Sequence, residues 1–474
     1  MTDLVYTPPG IYVDENASPV PNIGQIVALP PSRVALVGPS LGYQQRTETI
    51  VAVAGAVTLA ETGIDTDSIV VRSLDGVVYT LTTDYTIDQA GSVPEEATTT
   101  FTRASGSIPL SSVVYVFYQY TNSAYYEPYY TTDWDEIQSR YGAAVDSAGA
   151  ITSPLSLAAK IVMENGAREL VLVPTKGSTP TVVSAAQLAT ALAKLNSRSD
   201  VGLVVSLPVG ITGTDGSPGD TLTVCTDLRL HVRNAAAEGK RRIGIIGLEK
   251  TADRSHAVVS AAIAEKRILL AFPNAMNWYN GYTNLVIEIG GYYLAAAYAG
   301  RLASQAAQVP LTKKSIGSFG SIPARIFGAM TNAFKNNLSS NGVAVTEQGA
   351  DGRLSVRHGL ATDVTSVLTR EVSITRAKDT LLNLIERGLD ASGIIGEPLV
   401  PESPVQVRSI IDGVLQQAVG IRLIVRYSNL SVRPSTADPT ILEAKFAYDP
   451  AYPLNKINVT FAINQVTGAI QEAA

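Results

Sequence analysis

One cysteine, Cys225, in 474 residues excludes an intrachain disulfide and cannot by itself hold a structural metal. Histidine is scarce too: only His231, His256 and His358 are present, and none belongs to an H-E-x-x-H or other metal-ligand spacing. A long basic run is missing, and 36 Lys and Arg against 42 Asp and Glu leave a net charge of -6. That balance argues against sustained electrostatic binding of nucleic acid. No window reaches 18 apolar residues, and the most hydrophobic helical run, around Tyr292 to Tyr298, is too short for a membrane span. The opening MTDLVYTPPGIYVDENASP has no basic segment followed by an apolar stretch, so it does not resemble a Sec signal. The expected site of synthesis and assembly is the cytoplasm, with no membrane insertion.

What is present is a folded, loop-rich chain: 46% hydrophobic and 16% charged, with 38 Gly and 25 Pro. It is too apolar for disorder and too lightly charged for a coiled coil. Pro8, Pro9, Pro19, Pro21, Pro30 and Pro31 surround the short apolar piece Ile11 to Val13. Prolines at that density read as an extended arm, not a helix or a central strand. After a short strand at Val34 to Val37, the chain from about Thr47 to Thr121 is a series of Val, Thr and Tyr segments split by Gly and Asp, with no amphipathic helix between Thr62 and Thr121. This pattern predicts an all-β module inserted into a larger fold.

From Trp134 the period changes. Four helix-then-strand units follow: Leu155 to Asn165 with Glu169 to Val173, Ser184 to Leu195 with Leu203 to Leu207, Thr221 to Glu238 with Arg242 to Leu248, and Ala257 to Glu265 with Ile268 to Phe272. Strands so apolar and β-branched fit a parallel sheet covered on both faces. A long Ala- and Tyr-rich helix is read from about Tyr282 to Ala307. Beyond Gly342 come a segment at Val364 to Arg370, helices at Arg376 to Arg387 and Val405 to Ala418, and strands at Ile421 to Tyr427, Ile441 to Tyr448 and Lys456 to Ile463. The predicted fold is an α/β core with a β-rich inserted module, a small α+β C-terminal domain and extended terminal arms. Its expected divisions are an arm at 1–33, a core strand at 34–46, the β-rich insertion at 47–121, the α/β domain at 122–345, the C-terminal α+β domain at 346–463 and an arm at 464–474.

Catalytic constellations are sparse. Val34-Ala-Leu-Val-Gly38-Pro39 has the entry strand of a dinucleotide unit but lacks G-x-G-x-x-G, and Pro39 removes a donor that a phosphate would want. Ile243 to Lys250 resembles a phosphate loop superficially, without the G-x-x-x-x-G-K-[ST] spacing. Cys225 and His231 are six residues apart and form no recognisable dyad, and no G-x-S-x-G is present. Asp133, Asp135 and Glu136 read as helix capping. The densest unusual patch, Tyr115, Tyr118, Tyr120, Tyr125, Tyr126, Tyr129 and Tyr130, has no Arg or Lys interleaved, which argues for packing and not for base stacking. The expectation is a structural protein, not an enzyme, with no catalytic residues, no metal and no cofactor.

The two ends carry a resemblance. Pro9-Gly10-Ile11-Tyr12-Val13-Asp14-Glu15 resembles the P-G-V-Y-V-x-E opening of contractile phage tail sheath proteins. Ala451 to Phe461, AYPLNKINVTF, resembles that family's closing strand, in which Pro-x-x-x-Ile leads into an alternating V-x-F run. Between them, Asp351 to Arg357 takes the place of the glycine-rich segment before the final domain. Arg370 to Leu389 fits a strand-then-helix segment with an arginine near the helix start, here Arg376.

The resemblance implies a sheath subunit that polymerises as stacked hexameric rings around a tail tube. Contraction would drive the tube through the host envelope during genome delivery. Implied partners are further copies of itself in a six-fold helical array, the tail tube protein, and the baseplate and tail terminator proteins, with no direct nucleic acid. The implied location is the tail sheath of a virion. Gly10, Ile11, Tyr12, Val13, Asp14 and Glu15 would form a strand donated to a neighbour. Pro453, Ile457, Val459, Phe461 and Ile463 would belong to the C-terminal sheet and arm, and Arg376, Lys378 and Arg387 would supply contact charges. Two readings stay open beside it: an arm-swapped ring or tube-forming structural protein, and a surface adhesin, neither contractile.

Overall fold

The computed structural model describes residues 33–40, 43–91, 97–104, 106–121, 125–146, 148–175, 184–207, 219–281, 283–459, 461–463 and 470–472. The arm at Gly10 to Glu15 therefore lies outside the described residues.

Six apolar strands lie parallel at the centre. Their spatial order is Leu170–Thr175, Arg33–Pro39, Val201–Ser206, Ile243–Gly247, Ile268–Phe272 and Val343–Gln348. Antiparallel strands close both edges: Tyr129–Thr131 beside Leu170–Thr175, and Leu354–Val356 beside Val343–Gln348. Every residue of Leu170–Thr175, Ile243–Gly247 and Ile268–Phe272 is buried, because helices cover both faces. Pro154–Glu164 and Gly291–Ala303 pack together on one face. Ala185–Lys194, Gly219–Ala237, Arg254–Ala261 and Asn332–Ser340 line the other. The four helix-then-strand units thus occur where the hydrophobic period places them.

The expected long helix from Tyr282 to Ala307 is a strand followed by a helix. Ala275–Asn280 and Leu285–Gly290 form an antiparallel hairpin, and the helix starts only at Gly291. The pair Gly290–Gly291 separates a β-branched run, Val286 and Ile287, from the Ala-rich helical one. Gly247, facing the start of this helix, allows a close approach: a Cβ there would lie 2.1 Å from the Gly291 carbonyl oxygen.

Chain leaving the C-terminal end of Arg33–Pro39 enters a separate all-β region. Tyr43–Val51, Val113–Thr121, Ile64–Ser73 and Val78–Tyr79 form one sheet in that order, and Ala56–Thr62, Thr98–Arg103 and Tyr85–Ala90 form another. The first of these strands begins at Tyr43, four residues before the expected Thr47. A hydrophobic cluster of its own, including Val71, Phe101, Val114 and Val116, fills this region.

The C-terminal lobe leaves from the opposite end of the central sheet. Helices Val372–Ala391 and Ser403–Gly420 pack on each other, and the second covers the hairpin Ile424–Pro434/Leu442–Pro450. Two expectations fail here. Arg370 to Leu389 is not a strand followed by a helix: Ser366 caps a one-turn helix, Val367–Arg370, and the long helix follows at Val372. Nor is Lys456 to Ile463 one strand, since residues 451–459 form no ladder and only Phe461–Ile463 pairs, with Ile470–Glu472. No helix among the described residues is long and apolar enough to cross a membrane.

Gly247→Ala forces a Cβ into backbone and is expected to destabilise the fold by about 1–3 kcal/mol or more in urea unfolding. Gly55→Ala, where nothing lies within 4 Å, should stay within about 0.5 kcal/mol of the parent. Equal midpoints for the two would refute the close-approach account.

Candidate intersubunit interface

The residues with conventional catalytic potential are all taken up in structure. Gly38 and Pro39 belong to a central strand, and a Cβ on Gly38 would lie 2.5 Å from the Leu207 Cβ, so this glycine serves packing and not a phosphate. Cys225 is buried and its thiol is pushed up to about 12 by burial. His231 is buried against Arg242, with Nε2 and Nη1 3.1 Å apart; burial, then that neighbouring charge, brings its pKa down to about 4. His256 closes a capping box with Asp253 at the start of Arg254–Ala261. Asp133 caps Trp134–Tyr141, accepting from the Asp135 amide at 2.9 Å. The tyrosine patch is also occupied internally: Arg140 stacks on Tyr129 at 3.8 Å and Arg33 on Tyr130 at 4.6 Å. The cations missing from the local sequence arrive from elsewhere in the fold, as packing partners. Among the described residues no group of three His, Cys, Asp or Glu side chains could hold a metal.

The C-terminal lobe carries features open to a partner. Its hairpin has two strands, and among the described residues no third strand pairs with either outer edge. Two-stranded sheets are marginal alone, and unpaired edges are templates for further strands. One face is covered: Ile424, Tyr427 and Leu430 are buried with Val407, Ile411 and Val414 of the helix behind. Next to the hairpin, residues 451–459 run without ladder bonds and expose Leu454 (78%), Ile457 (72%) and Val459 (79%). Pro453 is half-buried. Phe461 and Ile463 belong to the short strand that pairs with Ile470–Glu472.

A polar seam fixes this lobe to the core. Arg241 lies two residues before Ile243–Gly247 and Arg267 one residue before Ile268–Phe272, at the N-terminal ends of these central strands. Arg267 forms a bidentate pair with Asp379, one bond being 2.8 Å, with both side chains almost fully buried. Arg241 donates to both oxygens of Glu386 at 2.7 Å and to Asn383 Oδ1 at 2.9 Å. Arg376 corrects an expectation: it is buried and cannot be a surface contact charge. Its guanidinium donates to the Leu302 carbonyl at 2.8 Å and the Gln305 carbonyl at 3.4 Å, at the C-terminal end of Gly291–Ala303. Burial lowers its pKa to about 10 against the opposing pull of Asp379, so it stays charged at neutral pH and complements the helix dipole. Lys378 is half-buried and Arg387 exposed.

The seam was missed in the sequence, although Asp379, Asn383 and Glu386 recur at helical spacing on one face of Val372–Ala391. That stripe is the signal that could have found it. The hairpin edges had no comparable signal.

No family profile matches the chain. The tail sheath protein of Mycobacterium phage Bxz1 is 32% identical over 427 residues, covering 87% of this chain and 70% of that protein. The chain belongs to the tail sheath protein family. The tail sheath protein of Bacillus phage SP01 is 23% identical over 250 residues, 51% of this sheath chain and 42% of its own length. Two solved structures share the fold: the contracted helical sheath of the anti-feeding prophage, and the contracted sheath complex of the extracellular contractile injection system PVC. The TM-scores are 0.58 and 0.53, with coverage of 97% and 98% of this chain and 100% and 99% of theirs. Identities of 12% and 10% make these likenesses of fold alone.

Two predictions follow from the buried groups of this sheath protein. Asp379→Ala leaves the Arg267 guanidinium buried without its partner and is expected to cost about 3–5 kcal/mol in denaturant unfolding; wild-type stability would contradict the seam. For His231 the folded pKa lies below the unfolded value of about 6.5. Its contribution is therefore whole above about pH 6.5 and is lost as pH falls toward 4. His231→Gln should flatten that part of the stability profile, and an unchanged slope would refute it.

Proposed function

We propose that this chain is the repeating subunit of a contractile sheath: it polymerises as stacked hexameric rings around a tail tube, and contraction drives the tube through a host envelope to deliver the genome. The observation that carries this reading is the C-terminal hairpin, whose outer edges pair with no strand among the described residues, beside an extended segment that exposes Leu454, Ile457 and Val459, in a chain of the tail sheath family. An exposed edge and an extended segment with exposed apolar side chains on the same molecule are complementary between copies. In this reading Gly10 to Glu15 of one copy pairs with the hairpin of another. Segment 453–463, with Pro453, Ile457, Val459, Phe461 and Ile463, together with the tail beyond it, supplies the second link.

Such links run along the chain backbone, so they survive when rings rotate and slide. The extended array would be a metastable lattice that reaches a shorter, wider packing as new surface is buried. The all-β region at 43–121 would face outward, the part at 122–345 would form the wall, and the C-terminal lobe would face the tube. Lys378 and Arg387 are the remaining candidate charges for weak, exchangeable contacts with the tube or with neighbours. Baseplate and tail terminator proteins would bound the array, which assembles in the host cytoplasm and works in the virion. No step calls for turnover, a metal or a cofactor, and the proposed role is purely structural.

The test is negative-stain electron microscopy of the purified chain at high concentration, beside a chain lacking residues 1–16. The full chain should form tubes or stacked rings with six-fold end views, while the truncated chain stays folded by circular dichroism and does not polymerise. Long tubes from the truncated chain would contradict strand donation. Arg387→Glu should weaken assembly on the tube, and unchanged extended assembly and contraction would remove Arg387 from the account.

A further inference from the structure

We propose that Glu371 is an anchor that fixes where the C-terminal arm leaves the body of the protein. The proposal deepens the linking role given above to the segment beyond Pro453 and rests on that reading for its purpose, though not for its geometry. Glu371 stands at the junction of Val367–Arg370 and Val372–Ala391 and is wholly buried. Its backbone is held by the loop before it: Leu360 and Glu371 form an antiparallel bridge, and the Val372 amide donates to the Gly359 carbonyl at 3.3 Å.

The carboxylate oxygen Oε1 then gathers two donors from distant parts of the chain. His358 Nε2 lies 2.6 Å away and Asn455 Nδ2 lies 2.7 Å away. Because a carboxylate only accepts, the His358 tautomer must carry its proton on Nε2. Arg370 Nε is 3.9 Å from the same oxygen, while Oε2 has no hydrogen-bond partner among the described residues. A buried carboxylate with so few partners depends on each donor it keeps, since losing one exposes the full cost of its desolvation. Asn455 is one of them.

The position of Asn455 gives the contact its consequence. It lies between exposed Leu454 and exposed Ile457, in a stretch with no ladder bonds to hold it. The side-chain bond to Glu371 therefore ties the root of a segment without ladder bonds to the N-cap of the helix that carries the seam. Residues beyond Lys456 would sweep from this fixed point, so the arm reaches a neighbour from a set origin. Ordering the root within the subunit lowers the entropy lost when the arm pairs with another copy.

The experiment uses the full chain with Ile457→Cys carrying a nitroxide label, which is selective because the native Cys225 is buried. Electron paramagnetic resonance reads the label's mobility. In Asn455→Ala, which removes the donor, the rotational correlation time should shorten by about twofold or more. Asn455→Asp sets carboxylate against carboxylate and should mobilise the label at least as much. Asn458→Ala, an exposed neighbour without this bond, should leave the spectrum as in the parent. Thermal unfolding by circular dichroism verifies that each variant is folded. Identical spectra for Asn455→Ala, Asn455→Asp and the parent, all recorded on unassembled chain at low concentration, would overturn the anchor. A mobilised label in a chain that never assembles would leave the anchor standing and count against the sheath mechanism instead.

Discussion

The arrangement of the molecule depends on one interaction, the buried pairing of Arg267 with Asp379 at the N-terminal edge of the central sheet. Around it Arg241 grips Glu386 and Asn383, and Arg376 closes the C-terminal end of Gly291–Ala303, so one helix is held along three turns by charge and hydrogen bonds. Apolar packing would hold the lobe as firmly, but it tolerates sliding. Bidentate pairs between planar groups fix angle and register as well as distance. The net stability from such buried pairs is small, and their value here is that a shifted docking leaves a guanidinium or carboxylate without a partner.

That fixed docking matters because the chain is polar along its strands. The all-β region leaves from the C-terminal end of Arg33–Pro39, and the lobe with the open hairpin attaches at the other end of the same parallel sheet. Six buried parallel strands lie between them and transmit position with little give, since a core at crystal-like density resists compression. A partner bound at the hairpin edge therefore meets a surface whose orientation relative to the core is set by the seam. The anchor at Glu371 would extend the same logic to the arm.

Much of the core was legible in the sequence. Short β-branched runs alternating with amphipathic helices have one economical solution, a parallel sheet covered on both faces, and Ile268–Phe272 falls where its pattern ends. The hairpin at Ala275–Asn280 and Leu285–Gly290 was not legible, because an Ala- and Tyr-rich stretch reads as helix through Gly290–Gly291, and the strand before it shows only in its pairing with Ala275–Asn280. Lys456 to Ile463 illustrates a different limit. Alternation records which side chains want a common face, while pairing needs a partner strand, and for residues 451–459 none is present among the described residues. Arg376 was legible as a notable charge, but burial, which decides whether it meets a partner or its own helix end, is a tertiary property. The motif at Gly10 to Glu15 lies outside the described residues.

The central claim is that neighbouring copies complete the hairpin of the C-terminal lobe. A cryo-electron microscopy reconstruction of the assembled polymer, at a resolution that traces side chains, tests it most directly. The account predicts added strands on the outer edges of Ile424–Pro434 and Leu442–Pro450, contributed by the N-terminal and C-terminal segments of other copies. A tube in which both edges stay unpaired, with copies held only by contacts between their α/β cores, would contradict it.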